Sequence, residues 1–357
     1  MAAEAKAVDS RSWGMIFFFK VQMSYHSAFH NKIKAHNEFK VVVSVVDAHL
    51  HFVDFIQETD GMIRLVEAMD AGGVSKAVVF GLPLKKKWEA YEKRPPHYYL
   101  DDNAPCYYFT RTDEILADEF LRLPANARKR FAPLVCGFNA TDKYAVRDVE
   151  RLLDKYPFWR GVGEVLCRHD DLTNMTNEET ARINHPALFD IYDLCSARNL
   201  PVLIHQNSTS VSVHEDYEHL HELEEMLQRF PKTTFAWAHC GISRRVFHKN
   251  YHEMISSLLD QYPNLQVDIS WVVYDDVICS SLEPKKHWLD VINRHADRFC
   301  LGSDLCGHFD HLGQTMARYN TLLRGLEPRV QRQVASENAE RLWFGGGDKK
   351  REAGSKP

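Results

Sequence analysis

The sequence predicts an α/β fold: a single (β/α)8 barrel of the TIM type, with an aromatic-rich insertion after its second strand. Two observations carry that expectation. Eight short β-branched runs recur along the chain, and stretches with helical periodicity lie between them. No linker-like break interrupts the series, so one closed parallel sheet suits it better than two domains. A glycine-rich GxGxxG turn is missing after the first run, which argues against an open doubly wound sheet.

The runs are VVVSVVD (41–47), SKAVVFG (75–81), RFAPLVCGF (130–138), WRGVGEV (159–165), LPVLIH (200–205), TTFAWAH (233–239), LQVDIS (265–270) and RFCLGSD (298–304). Amphipathic segments separate them, among them DGMIRLVEAMDAG before the second run and HPALFDIYDLCSARN before the fifth. Gly72 and Gly73 read as a helix stop, and Asn199 as another. The barrel is expected over 41–344. Residues 1–40 lack sustained periodicity and read as an N-terminal extension with little regular structure; 345–357 read as a flexible glycine-and-charge tail. Residues 82–110 break the rhythm: they carry Trp88, Tyr91, Tyr98, Tyr99, Tyr107, Tyr108 and Phe109. A loop of this length in a compact domain is usually functional or disordered, and its aromatics argue against disorder. It is expected to lie over the barrel mouth and to form part of the substrate pocket.

Composition excludes several functions. Of 357 residues, 45% are hydrophobic and 26% charged, enough apolar material for a large core. Lys plus Arg number 44 against 49 Asp plus Glu, so no basic excess exists to bind nucleic acid or anionic lipid. A small-molecule substrate is the expected partner, and homo-oligomerisation stays open. The apolar stretch MIFFF (15–19) is too short to cross a membrane and makes a weak signal peptide, so a cytoplasmic location is expected, with export the lesser alternative. The eight cysteines form no CxxC pair and read as reduced and structural.

The chain holds 19 histidines. His49 and His51 in VVDAHLHF are two apart, which on a strand turns both side chains to one face. A second such pair, His219 and His221, falls in a helical pattern where residues two apart do not face each other; it reads as surface, as do His26, His30 and His36. Position separates the first pair from the second. Barrel enzymes gather their reactive groups at the C-terminal strand ends. Those ends supply His49 and His51, Glu164, His205, His239 and Asp304, which is the ligand set of a mono- or dinuclear divalent-metal site. Further residues follow the strand ends closely: Arg168, His169, Arg244 and Arg245 could meet an anionic group, and Trp271 and Tyr274 could stack on a planar one. His308, four residues after Asp304, is a further candidate, with His311 beside it.

The motifs VDAHLHF, GVGEV, VLIHQN, FAWAHCG, LQVDISW, LGSD and the closing ENAERLWF resemble those of the amidohydrolase superfamily, in its amidohydrolase-related (amidohydrolase 2) branch. The resemblance runs from about Val42 to Phe344. It implies that His49 and His51 bind a first metal with Asp304, that His205 binds metal or the bridging site, and that His239 binds a second metal or polarises a bound water. Glu164 stands where many members carry a bridging carboxylated lysine or a glutamate, while mononuclear members use neither, so one or two ions are implied: zinc first, manganese or iron as alternatives. The implied activity is hydrolysis of an amide, lactone or ester bond of a small, carboxylated or neutral substrate, through a metal-activated water with Asp304 as general base. Decarboxylation of an aromatic or unsaturated carboxylic acid is the alternative.

Overall fold

A computed structural model describes residues 43–177, 179–213, 216–246 and 248–345; the extension over 1–40 with its histidines and MIFFF stretch, and the tail beyond Gly345, lie outside the described residues. Eight parallel strands follow the eight runs: β1 (Val45–His51), β2 (Val74–Phe80), β5 (Phe131–Val135), β6 (Gly161–Cys167), β7 (Val202–Gln206), β8 (Phe235–Trp237), β9 (Leu265–Asp268) and β12 (Phe299–Cys300), hydrogen-bonded in that order. The last returns to the first through Ala48 N–H to the Leu301 carbonyl at 2.8 Å and Asp304 N–H to the His49 carbonyl at 2.8 Å. These bonds join the two ends of the sheet into a (β/α)8 barrel of the TIM type. β1 extends beyond the 41–47 run because Leu50 and His51 pair with Val79 and Phe80 of β2. Both histidines therefore sit within the strand, His49 at a register shift between Asp47 and Leu50.

Helices α1 (Gly61–Gly72), α2 (Thr112–Arg122), α3 (Ala145–Lys155), α4 (Phe189–Arg198), α5 (Leu220–Arg229), α6 (Tyr251–Gln261) and α7 (Lys286–Arg294) connect the strands. The expected stops hold. Gly73 closes α1 with φ 73° and Asn199 closes α4 with φ 53°, each in the left-handed region that ends a helix. The eight cysteines are free, seven of them buried. The insertion after β2 is a hairpin of β3 (Leu84–Lys86) and β4 (Cys106–Tyr108). It is pinned by Lys86, a fully buried lysine whose ammonium lies 2.9 Å from the Asp102 carboxylate and also donates to the Ala104 carbonyl. A short hairpin of β10 (Cys279–Ser280) and β11 (Glu283–Pro284) completes the strands.

The barrel interior is built from small residues, with Ala48, Ala132, Ala236 and Ala238 beside Val46, Val78, Leu134 and Leu203. That economy makes room for one large plug. Trp343, from the C-terminal helical segment Glu340–Phe344, is 2% exposed and packs among them. A Cβ on Gly161, at the start of β6, would come within 2.7 Å of the Trp343 ring, so this position needs glycine for the close approach. Trp343→Ala is expected to destabilise the fold by about 3–5 kcal/mol through the cavity it leaves. Chemical denaturation measures it, and a loss below about 1 kcal/mol would show that the plug is dispensable.

Candidate metal centre

Four imidazoles and three carboxylates meet at the C-terminal rim. Glu164, 1% exposed on β6, is the hub. One of its oxygens, Oε1, lies 3.5 Å from His49 Nε2, 3.3 Å from His205 Nδ1 and 3.8 Å from His239 Nε2. The other, Oε2, lies 3.3 Å from His51 Nε2. Asp304 stands opposite, with Oδ1 3.3 Å from His49 Nε2 and 3.5 Å from His51 Nε2. All six residues selected from the strand ends are thus brought together. Among the described residues, three groups are compact enough to hold an ion: His49, His51 and Asp304; Glu164, His205 and His239; and His49, His239 and Asp268.

Local folding explains the aim of each ring. β1 carries one extra residue against β2 between Asp47 and Leu50, and this shift changes the phase set by the inward Val46 and Ala48 so that His49 and His51 also face inward, with ring centroids 5.4 Å apart. Each is steered through its far nitrogen: His51 Nδ1 is 2.9 Å from the Gly81 carbonyl, and His49 Nδ1 is 3.0 Å from the Asp268 carboxylate. Partners of this kind orient metal-binding histidines. The backbones of His239, Trp271 and Asp304 take φ of 55°, 66° and 58°. Left-handed conformations of non-glycine residues are costly, and they cluster where a side chain must be aimed. Gly302 serves the same end, since a Cβ there would come within 2.6 Å of the His49 Cβ.

Electrostatics follow from crowding. Burial works to raise the Glu164 carboxyl, but the charge of His49 and the bonds from His205 and His51 outweigh it and hold the group well below its usual range. Asp304 is held low in the same way by His49 and His51. Burial opposes charge on His51, yet Asp304 and Glu164 push it up to about 9; His49 is likewise raised, by Asp268 and Glu164. Burial dominates at His239 and lowers it to about 4. The residues suit a divalent ion: His49 Nε2 and His205 Nε2 are buried without hydrogen-bond partners, and the surrounding nitrogen and carboxylate donors are those such ions prefer.

The outer candidates divide. His169 joins the site, its ring centroid 4.8 Å from that of His205, as does Trp271, 5.1 Å from His239. The insertion reaches them: Tyr99, 2% exposed, sets its ring 5.7 Å from His169. Arg244 fastens this roof, donating to the Tyr98 hydroxyl and pairing with Asp171, which also binds Arg245. Trp88, Tyr91 and Tyr107 face solvent instead. Three candidates are engaged elsewhere. Arg168 pairs with Glu222 at 2.5 Å. Tyr274 packs against Tyr319, with its hydroxyl directed to the Arg318 carbonyl. His308 is 59% exposed and pairs with Asp60. The His219 and His221 pair stays outside the site, with His221 exposed. Sequence reading missed Asp268 and Ser270, although the strand-end rule applied to LQVDIS selects both.

The sequence model of the amidohydrolase family matches residues 46–345. Comparison with curated proteins finds no match. Solved structures with the same barrel include an uncharacterised TIM-barrel protein from Bordetella bronchiseptica (15% identity, TM-score 0.54, covering 85% of this chain and 100% of that one). An amidohydrolase from Burkholderia multivorans with bound zinc is similar at 13% identity and TM-score 0.50, covering 85% and 99%. So is 5-carboxyvanillate decarboxylase from Novosphingobium aromaticivorans complexed with manganese and a nitrobenzoic acid ligand, at 12% identity and TM-score 0.51, covering 85% and 96%. No described helix is long and apolar enough to cross a membrane.

The shifted histidines predict how the metal-free chain responds to pH. Between about 4 and 6.5 the unfolded chain binds a proton that native His239 refuses, while Asp47 and Asp113, pushed up to about 6 by burial, keep protons that the unfolded chain releases, so these contributions oppose one another. Between 6.5 and about 9 native His51 keeps a proton that the unfolded chain releases, so stability falls as pH rises. The melting temperature in chelator is expected to fall from pH 6.5 towards pH 9, and His51→Gln to make that fall shallower. A melting temperature still climbing at pH 9 in the parent protein would reject this account of the charges.

Proposed function

Because the chain belongs to the amidohydrolase family, we propose that it is a metal-dependent hydrolase cleaving an amide, lactone or ester bond of a small substrate. One observation carries the reading: the ligand set contains two triads without a shared member, His49, His51 and Asp304 on one side and Glu164, His205 and His239 on the other. Glu164 contacts both. Two adjoining sites suit a dinuclear centre, with zinc the first choice and manganese or iron as alternatives. An ion bound there supplies Lewis acidity, acidifying water and polarising a carbonyl.

The protein's own groups then have distinct tasks. Asp304 is the general base: among the proposed ligands its side chain is the most exposed, at 13%, which places it to accept a proton from water and pass it to the leaving group. His169, Trp271 and Tyr99 form the walls against which a flat substrate packs, with Arg244 holding Tyr98 over them. Arg168, Tyr274 and His308 are left out of this reading because their side chains are engaged elsewhere. The buried carboxylate at the hub, within reach of four imidazoles, supports hydrolysis over decarboxylation, which needs one ion to orient an acid and no such bridge.

Metal analysis after gentle purification is expected to give two equivalents per chain. One equivalent, with carbon dioxide released from an aromatic or unsaturated acid, would transfer the protein to the decarboxylases. Against a panel of lactones, esters and amides, Asp304→Asn is expected to lose about 10²–10⁴-fold in kcat while retaining bound metal. Turnover near the parent rate would remove Asp304 from the role of base. Deleting 86–104 is expected to change which substrates of the panel are accepted; unchanged selectivity would take the insertion out of the substrate pocket.

A further inference from the structure

Asp268 closes β9 between the two triads. Its carboxylate is buried, at 3% exposure, and every polar neighbour gives it a proton. On Oδ2 it meets His49 Nδ1 at 3.0 Å. On Oδ1 it accepts from the His239 backbone N–H at 3.1 Å, from the Ser270 backbone N–H at 3.0 Å and from the Ser270 hydroxyl. A carboxylate accepts and does not donate, so these contacts fix where the protons lie.

At His49 a proton is held on Nδ1, so the buried Nε2, facing Glu164 and Asp304, is the nitrogen that gives up its proton to offer a lone pair when an ion binds. At Ser270 the single hydroxyl proton is spent on Asp268. Its oxygen, 2.8 Å from His239 Nδ1, therefore accepts. His239 in turn carries its proton on Nδ1 and turns a lone pair on Nε2 towards Glu164 Oε1, 3.8 Å away. One carboxylate thus sets the tautomer of a histidine in each triad. His49, His239 and Asp268 also lie close enough to hold an ion by themselves. That grouping conflicts with the bonds just described, because it would spend the His49 nitrogen and the Asp268 oxygens that those bonds already use.

We propose that Asp268 is a positioning residue of the metal centre: directly at His49, and through Ser270 at His239, it presents both Nε2 lone pairs to the ligand set. His239 is thereby a ligand and not a proton donor to an oxyanion. The consequence for metal binding rests on the metal-centre reading above; the tautomers do not.

The test uses the full chain, labelled with ¹⁵N-histidine, as the parent protein, Asp268→Asn and Ser270→Ala. Long-range ¹H–¹⁵N spectra of the metal-free and zinc-loaded proteins report the protonation sites, with His49→Gln and His239→Gln assigning the signals. Competition with a chromogenic chelator reports zinc affinity. In the metal-free parent His239 is expected as Nδ1–H and His49 as an imidazolium, which zinc loading converts to Nδ1–H. Asp268→Asn is expected to move both away from Nδ1–H and to weaken zinc about 10–100-fold. Ser270→Ala is expected to move His239 alone and to weaken one zinc equivalent. Parent tautomers and parent affinity in Asp268→Asn would overturn the proposal. Should Asp268→Asn fail to fold, an unchanged His239 signal in Ser270→Ala would overturn it instead. In a protein that binds no zinc the metal-centre reading falls, and the His239 tautomer signal alone still decides whether Asp268, through Ser270, positions that ring.

Discussion

The structure depends on one buried charge. Glu164 has no access to water, and a carboxylate in that position is tolerated only if other groups replace its hydration. Four imidazoles do so, two from β1, one from β7 and one from the turn after β8, all within 3.3–3.8 Å. The strands that carry them are far apart in sequence, so the charge is satisfied only when the barrel is closed. Closure and site assembly are therefore one event. Without a cation the rings must carry the compensating protons themselves, which is why burial fails to neutralise His49 and His51 while it succeeds at His239.

The barrel divides labour along its axis. At the N-terminal end, small side chains and the Trp343 plug supply a packed interior with little chemical demand. At the C-terminal end the backbone is bent out of its preferred conformations at His239, Trp271 and Asp304. Each strained residue follows a strand anchored by the interior, so the scaffold holds what the rim could not hold alone. The close approach of Gly302 to His49 joins the two regimes, because the last strand can press against the first only where no side chain intervenes.

Much of this was legible in the sequence, and the reasons are physical. Eight parallel strands buried on both faces leave continuous β-branched runs, which a single sequence displays plainly. The six inner residues were legible because barrel geometry sends strand ends to one point. His49 and His51 illustrate it: their two-residue spacing acquires meaning from the strand, while the same spacing at His219 and His221 on a helical segment leads nowhere. Asp268 was equally readable by position and was passed over because its run reads as plain strand. The outer residues were harder. Arg168, Tyr274 and His308 follow strand ends as closely as His169 does, yet Glu222, Tyr319 and Asp60 draw them away. Those partners come from distant segments, and no local pattern announces them.

The roof follows from the same competition for partners. Arg244 looks, in the sequence, like a cation awaiting an anionic substrate. In the fold its charge is already met by Asp171, and its remaining donors reach Tyr98. An incoming carboxylate would have to displace an ion pair whose partners are largely buried, at a cost in desolvation that a single new pair repays poorly. Arg244 acts more economically as a clasp, holding the tyrosines of the insertion above His169 and Trp271. Selection at the mouth then falls to the aromatic walls and the shape they leave, while charge recognition is concentrated one layer down, at the ligands themselves.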